Sequence, residues 1–375
     1  MIGGNLGDYR FREVCQNMET KIVRIRREAD AFDEEEEEGL RQAGETIKRG
    51  GLVAFPTETV YGLGGDALNP ESARKIYAAK GRPSDNPLIV HISRFEDICG
   101  IVEYLPETAE IIADAFWPGP LTMILPKSDK VPSDVTGGLN TVAVRFPSHP
   151  AAKRLIAYSG GYVAAPSANV SGRPSPTTAE HVVKDMKGRI EMIVDGGKVG
   201  IGLESTIIDL TAEVPCILRP GYVTREMLGR VLGKVDTDVT IIRPDSTETP
   251  KAPGMKYRHY APAGALVIVE GEPHRVVDYV NRRIGADRAC GEKTGVLVTE
   301  ELRGQYEADV IKCIGSRSDE EGIARNLFSA LREFDEEGVT RIYSESFSSQ
   351  GLGQAIMNRL LKAAGHQVVR LQTEL

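Results

Sequence analysis

The chain has no run of about 18 apolar residues, no closely spaced cysteines and no surplus of basic charge. Each absence excludes a class of function. Without a long apolar run or an N-terminal apolar core, nothing marks a membrane span or a secretory leader, and the expectation is a soluble cytoplasmic protein. The five cysteines (Cys15, Cys99, Cys216, Cys290, Cys313) stand far apart, are odd in number and contain no CxxC pair. That rules out a disulfide framework or a zinc cluster and fits free thiols in a reducing compartment. A net charge of −8 argues against a broad basic face, so non-specific wrapping of nucleic acid is excluded. A local basic pocket for one small polyanion is still allowed. Two phosphate-loop signals also fail. Gly291-Glu292-Lys293-Thr294 breaks the GxxxxGK[ST] spacing, and Gly351-Leu352-Gly353 lacks a third glycine. Both read as turns. No Walker motif and no Cys/His/Asp triad is present.

What the chain does have is enough length and apolar content for two domains: 375 residues, 41% hydrophobic and 27% charged. METKIVRIR, from Met18, alternates like a strand, and Met1–Asn17 reads as a dispensable extension. The acidic run Asp33–Glu38 reads as a solvated helix start, since consecutive carboxylates cannot converge on one ion. From Gly51 short β-rich runs alternate with Gly and Pro, giving strands at Leu52–Phe55, Leu88–Ile92, Thr122–Leu125, Val142–Phe146, Tyr162–Ala165, Ile193–Asp195, Thr206–Leu210 and Cys216–Leu218. Asn69-Pro70-Glu71 opens a helix that Gly81 closes; Thr178 and Thr224 cap two more. Strands outnumber helices, which predicts a twisted mixed α/β sheet. After Pro262 the rhythm changes to strand–helix alternation, with strands at 265–269, 295–298 and 341–345 and helices at 273–284, 319–336 and 353–364. That pattern predicts a smaller Rossmann-like parallel sheet. The expected division is 1–35 (extension and first strand), 36–235 (first domain), 236–262 (linker) and 263–375 (second domain).

Six stretches of the first domain could carry chemistry. PTETVYGLG (Pro56–Gly64) follows a buried strand, which puts Thr57, Glu58, Thr59 and Tyr61 at a strand's carboxyl end, where open α/β sheets bind ligands. KGRPSDNPLIVHI holds Lys80 and Arg82 at a helix end, Asn86 in a proline-fixed loop, and His91 inside an apolar strand. Arg145 interrupts TVAVRFP and needs a carboxylate or phosphate partner. PSANVSGRPSPT is dense in small hydroxyl and amide groups, which also favour plain turns; LESTIIDL and LRPG, with Arg219, complete the set. Singly, helix-end cations and a core histidine are ordinary structural features. Together they describe a pocket of cations and hydroxyls suited to a triphosphate and a small carboxylated substrate, with catalysis by positioning and charge neutralisation.

In this order PTETVYGLG, KGRPSDNPLIVHI, PSANVSG, STIIDL and LRPG resemble the YrdC-like domain of the threonylcarbamoyl-AMP synthase family, over about Leu40–Leu232. The linker APGMKYRHYAP (Ala252–Pro262) and the Rossmann-like tail resemble the family's long, two-domain form. The resemblance implies a reaction. L-Threonine and bicarbonate form a carbamate whose oxygen attacks the α-phosphate of ATP, giving threonylcarbamoyl-AMP and pyrophosphate. A separate complex would then pass the threonylcarbamoyl group to tRNA. It also implies roles: Thr59, His91, Arg145, Ser167 and Ser205 for threonine; Lys80, Arg82, Asn86, Thr141, Asn169, Thr177 and Arg219 for ATP, to which the composition of the linker adds Tyr260. Lys80 and Arg82 would neutralise the transition state, and Mg2+ would ride on the ATP phosphates rather than on a carboxylate cluster.

The linker holds Lys256, Arg258 and His259 among Tyr257 and Tyr260, between Pro253 and Pro262. Cations and rings of this kind suit a lid over a nucleotide better than a spacer, for which the preceding DSTETPK is the usual composition. Two other readings compete. An RNA-binding module could use the same cationic concavity, but the acidic balance and the lack of stacking aromatics weigh against it. Carbamoyl transfer from carbamoyl phosphate would be expected alongside acylphosphatase and zinc-finger segments, which this sequence does not show.

Overall fold

A computed structural model describes residues 18–26, 31–238 and 260–371. Its helices begin where the sequence supplies caps. Asp33 accepts a hydrogen bond from the Glu36 amide at 2.9 Å, and the Glu36 carboxylate accepts one from the Asp33 amide at 3.2 Å. This reciprocal cap starts the Glu34–Lys48 helix and sets four glutamates on its positive end, so the acidic run is a helix start. Asn69 caps Pro70–Lys80, which Gly81 ends in the left-handed conformation at φ 63°. Thr178 and Thr224 cap Ala179–Met186 and Arg225–Leu232 as expected.

The first eleven strands are β1 (Lys21–Arg24), β2 (Val53–Phe55), β3 (Gly62–Asp66), β4 (Ile89–Ile92), β5 (Leu121–Pro126), β6 (Thr141–Arg145), β7 (Tyr162–Ala165), β8 (Met192–Asp195), β9 (Thr206–Asp209), β10 (Cys216–Arg219) and β11 (Asp236–Thr237). They form one mixed sheet in the order β1-β8-β2-β3-β7-β4-β6-β5-β9-β10-β11. The C-terminal strands β12 (Ala265–Glu270), β13 (Thr294–Val298), β14 (Val310–Cys313), β15 (Arg341–Glu345) and β16 (Val368–Arg370) form a second sheet, wholly parallel, in the order β14-β13-β15-β12-β16. The fold is therefore α/β, a large twisted mixed sheet followed by a smaller Rossmann-like one. Among the described residues, no helix is long and apolar enough to cross a membrane.

Strand β3 is not apparent in the sequence. GLGGD reads as part of a loop, because glycine weakens a strand. The structure shows why it pairs nonetheless: a Cβ at Gly64 would lie 2.8 Å from Val163 and 2.9 Å from Phe55, so only bare backbone fits between them. Strands β14 and β16, and the helices Glu107–Phe116 and Pro150–Tyr158, also went unforeseen.

Alternation along the central strands builds the site. In β4 and β6, Val90, Ile92, Val142 and Val144 enter the main core. Their neighbours Ile89, His91, Ala143 and Arg145 point to the opposite face, because successive strand side chains alternate. His91 and Arg145 are register partners across the parallel β4–β6 pair. That second face is the floor of a cavity.

The C-terminal unit docks beside this floor. Arg332, from the Glu320–Glu336 helix, donates to Asp185 at 2.7 Å and to the Pro174 carbonyl, with both side chains buried. Val60, Leu203 and Tyr260 share one apolar cluster with Leu327, Phe328 and Leu331. At Gly202 (φ 86°) a Cβ would lie 2.5 Å from the Arg325 Cα, so glycine is what allows the two units to approach this closely.

Candidate active site

The cavity is lined by Thr57, Val60, Gly62, Arg82, Ile89, His91, Arg145, Ala165, Pro166, Ser167, Asn169, Glu204, Ser205, Arg219 and Tyr260. Eight of the residues expected from the sequence are thus brought together: Arg82, His91, Arg145, Ser167, Asn169, Ser205, Arg219 and Tyr260. They come from the loops after the Pro70–Lys80 helix and β7, from the open face of β4 and β6, from the start of β9 and the end of β10, and, for Tyr260, from the chain just before β12. The site therefore covers a sheet face as well as strand ends, a consequence of the mixed strand directions.

The other expected residues stand behind the lining. Lys80 is only 1% exposed, and its ammonium donates to the carbonyls of Ser167 and Asn169, bracing the loop that carries both. Burial, and then the nearby Arg82, hold the Lys80 pKa well below the usual lysine range. Thr59 shares a hydroxyl bond of 2.8 Å with Thr57. Thr177 is buried against His181, its amide donating to Nδ1 at 3.3 Å. Thr141 opens β6, and Asn86 is buried in the loop that Arg82 spans.

Arg82 is buried too, at 8% exposure, and donates to the carbonyls of Asn86 (3.2 Å) and Pro87 (3.0 Å). Gly81, Pro83 and Ser84 stay exposed around it, while the arginine side chain itself turns inward. Arg219 donates through Nε to the Ser205 carbonyl at 3.0 Å and through Nη2 to the Ser205 hydroxyl at 3.1 Å. A hydroxyl bond of 2.7 Å ties Ser205 to Thr122. The turn after Arg219 must be glycine, since a Cβ at Gly221 would lie 2.5 Å from the Thr206 amide nitrogen. Burial lowers the Arg219 pKa to about 10, which leaves it charged.

Arg145 already has a carboxylate from its own chain: Nη2 donates to Glu58 Oε1 at 2.7 Å, and Glu58 Oε2 accepts from the Ser148 amide. Its Nε, and Asn86 Oδ1, are buried with no hydrogen-bond partner among the described residues. Buried polar atoms are almost always satisfied, so the orphaned Arg145 Nε, on a residue of the cavity lining, marks a place for a ligand. His91 is held neutral, its pKa lowered to about 3 by burial and by Arg145. Its Nδ1 lies 3.1 Å from the Ile89 carbonyl, which points the ring edge into the cavity.

That histidine supplies a pH prediction. Its folded pKa lies below the ordinary value near 6.5, so the unfolded chain takes up the proton first as pH falls. The stability contribution is present above pH 6.5 and is lost on the way down towards pH 3. Between pH 7 and pH 5 the wild type should lose about 2 kcal/mol that His91→Gln does not lose. Denaturant titrations of both proteins at the two pH values check this; equal losses would contradict it.

Of the linker, Lys256, Tyr257, Arg258 and His259 lie outside the described residues. Tyr260 is within them. It stands at φ 66°, is 5% exposed, and stacks on Phe328 with ring centroids 5.1 Å apart. Glu204 and Arg359 were not singled out in the sequence. Glu204 sits inside the quoted LESTIIDL, and its neighbours drew attention away from it. Arg359 lies on a C-terminal helix more than 130 residues away from its partners, and no local pattern could have found it.

Comparison with known proteins places the whole chain. The Sua5/YciO/YrdC family model, described as "Telomere recombination", matches residues 45–221, and "Threonylcarbamoyl-AMP synthase, C-terminal domain" matches residues 223–365. A Pyrococcus abyssi protein named threonylcarbamoyl-AMP synthase is 48% identical over 90% of this chain and 97% of its own length. A Bacillus subtilis protein of the same name is 50% identical over 88% of this chain and 94% of its own. The crystal structure of P. abyssi Sua5 complexed with L-threonine superposes with a TM-score of 0.88, at 47% identity, over 94% of this chain and all of that one. With the fold and the sequence both matching along nearly its full length, the chain belongs to the threonylcarbamoyl-AMP synthase family in its two-domain form.

Proposed function

We propose that this chain is an L-threonylcarbamoyladenylate synthase, making threonylcarbamoyl-AMP and pyrophosphate from L-threonine, bicarbonate and ATP. The observation that carries the reading is the convergence of three buried guanidiniums, Arg82, Arg145 and Arg219, on one cavity. Among the described residues Glu204 is the one carboxylate in the lining, with Glu58 paired to Arg145, so three desolvated cations form a site built for anions. A P. abyssi relative of the same fold has been crystallised with L-threonine, which supports a threonine substrate.

Threonine would sit over β4 and β6. Its carboxylate meets Arg145, whose Nε is unpaired among the described residues, while neutral His91, Ser167 and Ser205 offer polar contacts without added charge. Thr59 acts one step back, through Thr57. ATP would lie towards Arg82 and Arg219. Asn86, Asn169, Thr141 and Thr177 frame it, and Tyr260 sits at the edge where the linker enters. Lys80, fixed on two carbonyls, shapes the Ser167–Asn169 loop from behind. As the carbamate oxygen attacks the α-phosphate, Arg82 and Arg219 stabilise the charge that accumulates towards pyrophosphate.

Mg2+ would arrive as the counter-ion of the ATP phosphates. Among the described residues no group of three or more His, Cys, Asp or Glu side chains could hold a metal ion, and Glu58 and Glu204 are both engaged by arginines. No step is therefore assigned to a protein-bound metal. The product would pass to a separate tRNA-modifying complex. Mass spectrometry of a reaction containing ATP, L-threonine and bicarbonate should detect threonylcarbamoyl-AMP; ADP and phosphate as the only products would refute the assignment.

A further inference from the structure

Arg359 is a residue of the C-terminal domain with no exposed surface, and its guanidinium ends on Glu204, which lines the cavity. From the Gly351–Ala363 helix its Nε donates to Glu204 Oε2 at 2.9 Å. One terminal nitrogen donates to the Pro220 carbonyl and the other to the Glu204 carbonyl at 3.3 Å. Glu204 and Pro220 are the chain neighbours of Ser205 and Arg219, so a single guanidinium grips both cavity loops. Its carbon centre also lies 6.0 Å from the centroid of the Tyr260 ring.

The plain reading is an ion pair that joins two domains. Arg332 and Asp185 already form such a pair, and Asp185 is not in the cavity lining. Glu204 is in the lining. A buried carboxylate in the wall of an anion site works against the ligand unless it is neutralised. Burial pushes the Glu204 carboxyl up, but Arg359, Arg219 and the Ser175 hydroxyl outweigh it and hold the group ionised. If Arg359 were missing, Arg219 and the buried Lys362 would be the cations left near this charge, and of the two Arg219 is the one in the cavity lining. Pairing with Glu204 would pull Arg219 off Ser205 and away from an incoming phosphate.

We propose that Arg359 is a positioning residue supplied by the C-terminal domain: by neutralising Glu204 it keeps Arg219 on Ser205 and turned towards the anionic substrate. The nucleotide half of the cavity is then complete only when the C-terminal domain is docked. This rests on the reading of the cavity as an ATP and threonine site.

Calorimetric titration of the full-length protein with a non-hydrolysable ATP analogue and, separately, with L-threonine tests it. Wild-type protein that binds neither ligand sinks the functional reading itself. Given wild-type binding, R359M should raise Kd for the analogue at least about tenfold and change Kd for threonine less than about threefold. R359M/E204Q should return to within about threefold of wild type, because a neutral amide no longer competes for Arg219. Unchanged nucleotide binding in R359M, or a double variant no better than R359M, would leave Arg359 as interdomain glue and overturn the proposal. Should R359M not fold, E204Q alone decides. Nucleotide binding within about threefold of wild type or tighter supports the proposal, and any weaker binding overturns it.

Discussion

Alanine at Arg82 is expected to lower kcat/KM for ATP by at least about 100-fold, roughly 2.7 kcal/mol. A guanidinium in a desolvated cavity stabilises developing phosphate charge far better than one in water, and preorganised donors of this kind are the largest single contribution in many enzymes. Arg82 is also preorganised: its bonds to the Asn86 and Pro87 carbonyls fix the side chain before substrate arrives. The same bonds mean that the variant will not be structurally silent, so its melting temperature should fall as well. Arg82→Lys separates the two effects, since it keeps the charge and gives up the second carbonyl. It should recover part of the rate and little of the stability. Activity near that of the wild type in Arg82→Ala would reduce the residue to a loop clamp.

The second large effect is expected at Arg145. Its side chain is buried with Glu58, and it faces the cavity through an Nε that has no partner among the described residues. Arg145→Ala removes the anchor for a substrate carboxylate and also leaves Glu58 as an uncompensated negative charge beside it. A loss of about 1,000-fold in kcat/KM for threonine, about 4 kcal/mol, should follow. Arg145→Lys should lose about 100-fold, because an ammonium cannot serve Glu58 and a substrate carboxylate with the geometry of a planar fork. Steady-state kinetics with threonine varied at saturating ATP measures both. A lysine variant close to wild type would show that charge alone is needed and that the orphaned Nε has no role.

Much of this was legible in the sequence because the signals are local. Asn69 and Gly81 mark helix ends by their own side-chain chemistry, and alternation in IVHI and TVAVR sets His91 and Arg145 on the face opposite the core. Arg145 announced a partner simply by interrupting an apolar strand. The identity of that partner did not follow, because Glu58 is 87 residues earlier and pairing across a fold leaves no local trace. The burial of Arg82 does not follow from the sequence for a related reason: a loop rich in Pro, Ser, Asp and Asn has a surface composition, and Pro83 and Ser84 are exposed, yet the arginine between the helix and Pro83 turns inward. Strand β3 escaped because three of its five residues are glycine, chosen for close packing against Phe55 and Val163 rather than for strand propensity. Arg359 was beyond reach altogether, since only docking of the second sheet brings its helix to the cavity.

The central claim is that one cavity joins threonine, bicarbonate and ATP in a single adenylation. The most direct measurement is pyrophosphate release by the full-length protein in a coupled assay, with each substrate omitted in turn. The account predicts steady release with all three present, and release at background when either threonine or bicarbonate is left out. Pyrophosphate formed at the full rate without threonine, or without bicarbonate, would contradict it.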